Sequence, residues 1–395
     1  MKIDKNGWSF LKLKEASIYQ RGVTYSKKDE AEISGIGILR ANNISLENKF
    51  VFENIRYISS DFNVKKSQKL IAGDILICVA SGSIEHVGKI AFFDHDSDFY
   101  AGGFMGIIRP LENVVFPKFL YYILSTNTFI RYVQKQRAGT NIQNLKFSEI
   151  ENYLLSLPPL KEQKQIANLF QNIETTIEQL DNQEENLKYL KKTLLNNLFG
   201  KKSQFGKYFS GSDFEDIQFE DVAFHISERI EPKQTDLEIY VGLEHLEPDN
   251  LVIERTGKPE DVIGTKMKIY KGDIIFGKRR AYQRKLAVSH FDGIASAHSM
   301  ILRANEKRIE KDFLPYFMQS DVFMERAVKI SEGSLSPTIK WKTLAVQKFS
   351  IPKKRKQVQL VELLRQFDTI LQLIKNQKTT LKTLKQHLLN EILGS

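Results

Sequence analysis

Five cations and one aromatic fall within eight positions of this chain: Lys278, Arg279, Arg280, Tyr282, Arg284 and Lys285. An arginine fork can hold a guanine edge with two hydrogen bonds, and a lysine ammonium can neutralise a phosphate. The segment is therefore a candidate for contact with DNA, and a solvated charged hairpin is its plainer reading. In the first half of the chain, Arg40, Asn42, Asn43, Ser81, Ser83, Lys135, Arg137, Thr140 and Asn141 lie in polar, turn-like stretches. Asparagine suits an adenine edge, although turns also favour it for backbone reasons.

Other chemistries lack their residues. An amino-methyltransferase needs Asn or Asp before Pro-Pro and an aromatic, whereas the only Pro-Pro, Pro158-Pro159, sits in Leu-Pro-Pro-Leu. Gly35-Ile36-Gly37 lacks the third glycine of a methyl-donor loop. The run from Gly272 to Arg279 approaches a phosphate-binding loop but ends in Arg where Ser or Thr must meet magnesium, and its middle reads as strand. His245, His290 and His298 have neither a helical histidine pair nor cysteine support, so they read as ordinary core or surface histidines. No catalytic residue, metal or cofactor is expected.

The bulk numbers agree with a polyanion partner. The chain has 395 residues, a net charge of +10 and a pI near 9.2, with 42% hydrophobic residues. That favours two or three domains with cores of their own and, among partners, nucleic acid before an anionic membrane. Cys78 is the lone cysteine, which excludes an internal disulfide and suits a reducing, cytoplasmic compartment. The charged start, Met1-Lys2-Ile3-Asp4-Lys5, is unlike a signal peptide, and no apolar run is long enough to span a membrane.

What must position the candidate residues is a repeated architecture. Leu157-Pro158 and Gly200 bracket one helical stretch, and Ile351-Pro352 and Gly394 bracket another, 194 residues later. The two align without a gap over 44 positions with 15 identities, among them Gln163/Gln357 and Asn196/Asn390. Ile166, Ile173, Leu180, Leu187 and Leu194 recur every seventh residue, as do Leu360, Phe367, Ile374, Leu381 and Leu388. A strict heptad repeat predicts coiled-coil pairing, antiparallel because a globule precedes each arm. Leu169, Phe170, Ile177, Leu190 and Leu198 are expected to widen the apolar stripe, with Leu363, Leu364, Leu371, Leu384 and Ile392 as counterparts.

The intervening stretches also match in outline. Short β-like runs such as Ile36–Leu39, Asp74–Val79 and Ile107–Ile108 answer Ile239–Leu243, Asp273–Phe276 and Ser299–Leu302, and helical patches follow at Phe119–Arg131 and Phe313–Val328. Arg109 answers Arg303, and Gly139-Thr140 answers Gly333-Ser334. The loops between these anchors differ: Val79–Ile84 stands where the second half has Gly277–Lys285. One scaffold with two loop sets suits two different readings.

This pattern resembles the specificity (S) subunits of Type I restriction–modification enzymes. The run Leu157-Pro158-Pro159-Leu160-Lys161-Glu162-Gln163-Lys164-Gln165-Ile166 is similar to the signature opening the family's first conserved helix. Gly272–Phe276, the basic loop and Phe291-Asp292-Gly293-Ile294 resemble a recurrent target-recognition segment. The second arm departs from the pattern at Pro352-Lys353-Lys354-Arg355-Lys356-Gln357. The resemblance implies two target recognition domains, each reading half of a split site in double-stranded DNA. It also implies antiparallel helices that set the spacing and dock two methyltransferase subunits, with restriction subunits in the full complex.

The expectation is an α+β chain with an internal pseudo-two-fold repeat. It comprises target recognition domains at 1–156 and 203–350 and helical arms at 157–202 and 351–395, the arms forming an antiparallel coiled coil. Its expected function is non-catalytic, sequence-specific DNA binding that directs methyltransferase and restriction partners. The alternative is a coiled-coil structural adaptor with two protein-binding domains.

Overall fold

The computed structural model describes residues 5, 7–31, 35–45, 47–82, 86–137, 144–199 and 213–394. The chain folds as two units, one of Met1–Leu180 with Asn376–Ser395, the other of Asp181–Lys375. Two long helices, Leu160–Phe199 and Lys354–Leu393, each give one part to either unit.

In the first unit an antiparallel sheet orders Ser17–Arg21, Met105–Pro110, Ile75–Cys78 and Ile90–Phe92. A second, mixed sheet orders Glu30–Ala31, Arg56–Ile58, Ile36–Leu39 and Tyr100–Ala101, the last pair parallel. Ser9–Lys12 pairs with Leu154–Leu157, tying the start of the chain to the approach of the first long helix. The expected helical patch is two helices, Pro117–Leu124 and Asn127–Arg137, separated at Ser125-Thr126.

The second unit repeats this plan. Its antiparallel sheet orders Ala223–Ile226, Ser299–Ala304, Ile274–Gly277 and Leu286–Val288. Phe214–Gln218 pairs with Lys348–Pro352 before the second long helix. The mixed sheet keeps a parallel pair, Tyr240–Val241 with Gly293–Ala295, but is wired differently. Lys266–Ile269 joins at Gly293–Ala295, whereas Arg56–Ile58 of the first unit joins at Ile36–Leu39. The repeat thus breaks in the stretch where the two sequences cease to match.

A buried ion pair pins each antiparallel sheet. Asp74 and Asp273 are fully buried, and each takes a forked bond from an arginine 35 or 30 residues further on. Arg109 reaches Asp74 at 2.7 and 2.8 Å, and Arg303 reaches Asp273 at 2.7 and 3.0 Å. Each aspartate also accepts a backbone N–H, from Ile71 at 3.0 Å or Tyr270 at 2.9 Å, so its charge is fully compensated. The turns before them need glycine: Gly73 and Gly272 have φ of +92° and +94°.

The long helices pair within each unit, and they run antiparallel there. In the first unit Ile166, Ala167 and Phe170 share a core with Leu389, Ile392 and Leu393. In the second, Leu195 and Leu198 share one with Leu360, Val361 and Leu364. Ascending one helix therefore means descending the other. The seam alternates steps of four and three, through Ile166, Phe170, Ile173, Ile177 and Leu180, all buried except the half-buried Ile173. Leu169, Leu190, Leu363 and Leu384 stand beside it and are exposed, so the apolar stripe is narrower than the sequence suggests.

The identities between the arms have structural work at their ends. Gln163 and Gln357 are buried. Gln163 accepts from the Phe116 N–H at 2.8 Å and donates to the Pro158 carbonyl at 2.9 Å; Gln357 does the same with Glu310 and Pro352, both at 2.7 Å. These bonds join the first helical turn to its own globule. At the far ends, Asn390 accepts from the Asn127 N–H at 2.9 Å and Asn196 from the Asp321 N–H at 3.0 Å, capping a short globular helix in each case. Among the described residues no helix is long and apolar enough to cross a membrane.

Candidate nucleic-acid interface

The basic segment follows the strand Ile274–Gly277 and turns through a short 3-10 helix, Ala281–Gln283. The strand lies in the middle of the near-miss phosphate loop, which excludes a phosphate cradle there. Arg280 and Arg284 flank the turn in the left-handed region, at φ of +57° and +53°. Such a backbone is strained for arginine and is held only by surrounding contacts. Arg284 supplies them: its guanidinium meets Asp249 at 2.7 Å, Asp321 at 2.9 Å and the Gln319 carbonyl. Lys285 donates to the Leu243 carbonyl at 2.6 Å. These two cations, expected from the sequence as DNA contacts, brace the turn from within through protein partners.

Of the remaining members, Arg280 is exposed and Tyr282 is 55% exposed, whereas Lys278 and Arg279 are half-buried. Among the described residues, Arg279 and Arg280 bond to neutral groups rather than to carboxylates. Arg279 meets His298 Nε2 at 3.1 Å and Ser336 Oγ at 3.0 Å, and Arg280 meets Ser336 Oγ at 3.4 Å. Burial, with Arg229 nearby, pushes the Lys278 ammonium down from its ordinary value. Burial and then Arg279, Lys278 and Lys266 push the His298 imidazole down. Arg229, Lys266, Lys278 and Arg279 thus gather positive charge around Lys278 and His298.

The same strand ends form a cleft of about 540 Å³ in the first unit. Arg21, Lys27, Arg40, Asn42, Ser81 and His86 line it. Arg40 is half-buried, its Nη2 donates to the Asn54 carbonyl at 3.4 Å, and its buried Nε has no hydrogen-bond partner among the described residues. Asn42 is exposed and Ser81 half-buried. Asn43 differs from the expectation. It is fully buried, accepts from the Arg40 N–H at 3.0 Å and donates to the Val51 and Glu53 carbonyls at 2.9 Å, so it shapes the turn that presents Arg40. Lys135 is exposed on the Asn127–Arg137 helix, away from the cleft lining. Ser83, Thr140, Asn141 and the Arg137 side chain lie outside the described residues.

The two sites are built on equivalent scaffold positions. Ala80 bridges to Asn144 in the first unit, and Arg279 bridges to Thr338 in the second. Phe104, 72% exposed on the cleft, stands 194 residues before His298. Arg21, Phe104, His86 and Ser336 were not singled out by residue pattern, and His298 read only as an ordinary histidine. The repeat spacing itself could have flagged Phe104 and His298. Among the described residues, no group of three or more His, Cys, Asp or Glu could hold a metal ion.

The fold and these sites define a repeat-built chain with one loop-lined, cation-bearing site per unit. The chain belongs to the Type I restriction modification DNA specificity domain family, which matches residues 5–189 and 252–383. It is similar to the Type I restriction enzyme EcoKI specificity subunit of Escherichia coli K12, 31% identical over 178 residues, or 44% of this chain and 37% of that protein. The StySPI specificity subunit of Salmonella potsdam is 30% identical over 192 residues, 48% of this chain and 40% of that one. The Type I restriction enzyme MjaVIII specificity subunit of Methanocaldococcus jannaschii is 24% identical over 69% of both chains. The matches to EcoKI and StySPI thus span well under half of those subunits' length. In fold, the chain is similar to a Type-I restriction-modification system S subunit from M. genitalium, with a TM-score of 0.57 and 16% identity over 100% of this chain and 98% of that one. A chain from a structure addressing complex assembly and conformational transition of the type I R-M system gives a TM-score of 0.61 at 14% identity, over 98% and 97%.

Proposed function

We propose that the chain is the non-catalytic, sequence-specific DNA-binding subunit of a Type I restriction–modification complex. Residues 1–156 and 203–350 act as the two target recognition domains, each reading one half of a bipartite site in duplex DNA. The observation that carries this reading is the cation cluster of the second unit, where Arg279 and Arg280 meet only neutral partners among the described residues. Lys278, Arg279, Arg280 and Tyr282 are its DNA-facing residues there, with Arg40, Asn42 and Ser81 in the first unit. Arg284, Lys285 and Asn43 support the loops that carry them.

The arms at 157–202 and 351–395 dock two methyltransferase subunits, and restriction subunits complete the assembly. Support comes from apolar residues left outside the helical seam. Leu169 and Leu384 are exposed in the first unit, Leu363 and Leu190 in the second, and each of these pairs is the other's repeat counterpart. A repeated apolar patch suits a repeated partner.

A duplex gel shift of the chain co-purified with its methyltransferase tests the reading. Specific retardation is expected from the assembly, together with no methyl transfer from labelled S-adenosylmethionine by the chain alone. Robust methylation by the single chain would overturn the non-catalytic assignment, and absence of any specific shift would overturn the DNA-reading one.

A further inference from the structure

The most exposed large apolar residue among those described is Leu335, 91% accessible, in the middle of the segment 331–338. A lone surface leucine is ordinary. This one is held by a rigid hairpin. Glu332 and Thr338 exchange backbone hydrogen bonds at 3.0 and 2.9 Å, closing the loop around it. Gly333 turns the chain at φ +104°, and Thr338 Oγ1 donates to the Ser336 carbonyl at 3.1 Å.

The hairpin is also fastened to the basic segment. The Arg280 N–H donates to the Pro337 carbonyl at 2.8 Å, and the Ile339 N–H to the Lys278 carbonyl at 3.0 Å. The Arg279 and Arg280 guanidiniums both reach Ser336 Oγ, next to Leu335 in sequence. Glu332, the hairpin's single carboxylate, is paired with Lys340 at 2.6 Å. An apolar tip is thus presented next to Ser336, which two arginines without a carboxylate partner among the described residues both reach. Proteins that kink DNA combine these parts: an apolar side chain enters a base step, and arginines beside it hold phosphates or the narrowed groove. A surface for a protein partner would pair the leucine with further apolar area, and its sequence neighbours Ser334 and Ser336 supply none.

We propose that Leu335 is an apolar wedge that enters a base step of the half-site read by the second unit, with Arg279 and Arg280 gripping the flanking backbone. This rests on the DNA-reading function proposed above. The test begins with selection by the full chain, co-purified with its methyltransferase, from a duplex pool randomised through its centre, followed by binding of the selected duplex with 2-aminopurine placed along each half-site. The wild-type chain should brighten 2-aminopurine at one step of one half-site. Leu335→Ala should lose that brightening, relax selection at one or two adjacent base pairs and bind about tenfold more weakly. Leu335→Met should restore all three. Because the side chain lies outside the core, thermal melting should be unchanged. Selection and brightening that are the same in Leu335→Ala as in the wild type would overturn the wedge and leave the DNA-reading function standing, as would brightening at no step in the wild type. A wild-type assembly that selects no motif would overturn both.

Discussion

Lys191 donates to Asp368 at 2.5 Å across the paired long helices of the second unit, and Tyr316 donates to the other oxygen of the same carboxylate at 2.6 Å. The first unit contains the same triad with its members supplied in reverse. Lys385 donates to Glu174 at 2.6 Å, and Tyr122 donates to Glu174 at 2.8 Å. Each member stands 194 residues from its counterpart: Tyr122/Tyr316, Glu174/Asp368 and Lys191/Lys385. Burial first, reinforced by the carboxylate, drives both phenols far above their ordinary value, so each tyrosine is a fixed donor. A lysine in an apolar seam fits only the register in which its carboxylate is opposite, which makes each triad a register key.

Breaking the key should cost more than replacing it. Asp368→Ala leaves the buried Lys191 ammonium and the Tyr316 hydroxyl without their acceptor, and should lower stability by about 1–3 kcal/mol. Adding Lys191→Met to that variant removes the stranded charge and should recover at least half of the loss. Urea denaturation of the two single variants and the double variant gives the coupling. Additive losses would show that the triad is not a unit.

The arginines of the basic segment should divide by role. Arg284→Ala takes a partner from Asp249 and Asp321 and removes the clamp on a left-handed backbone, so it should destabilise the second unit by about 1–3 kcal/mol. Arg279→Ala with Arg280→Ala removes no carboxylate partner. It should leave the melting temperature within about a degree or two while weakening duplex binding and flattening its dependence on salt. Thermal melts and a salt titration of binding check both. Unchanged binding across the titration would return Arg279 and Arg280 to a solvated surface.

These roles mark the limit of legibility in the sequence. The heptads of the arms, the duplication and the Arg109/Arg303 correspondence were readable because periodicity and spacing survive without coordinates. Arg279 and Arg284 are five residues apart, identical in type and both half-buried, yet one bonds to neutral groups and the other is locked to two carboxylates. That difference depends on Asp249 and Asp321, whose approach no local pattern reports. Asn43 likewise reads as a polar turn residue, but three backbone partners bury it. Leu335 went unremarked because a single leucine among serines has no periodicity to betray it.

Target choice should be modular. The antiparallel sheets of the two units share strand order and the Asp–Arg lock, whereas their mixed sheets and loops differ. Replacing residues 1–156 with the equivalent domain of a relative should therefore alter one half of the methylated motif and preserve the other. Methylome sequencing of a strain carrying the hybrid reads this out directly. A change in both halves would rule out independent readers.

Acid should strengthen DNA binding through His298. Burial, Arg279, Lys278 and Lys266 hold its folded pKa below the ordinary value of about 6.5. In the free protein the ring is therefore neutral at pH 7, and protonation is resisted as the pH falls. For folding, the sign is that of a depressed group: its contribution is complete above about pH 6.5 and declines as the unfolded chain takes up the proton first. His298 is exposed, so solvent screens that effect and it should be small. Binding reverses the sign. Phosphates set against Arg279 and Lys278 cancel the field that opposes the imidazolium, so the pKa of His298 rises in the complex. Binding should then take up protons and tighten as the pH falls from about 7.5 to about 6. Calorimetry in buffers of different ionisation enthalpy measures the proton uptake, and His298→Gln, which keeps a polar partner for Arg279, should abolish it. Equal proton uptake by the wild type and His298→Gln would place the titrating group elsewhere, and zero uptake by both would mean that no phosphate approaches this cluster.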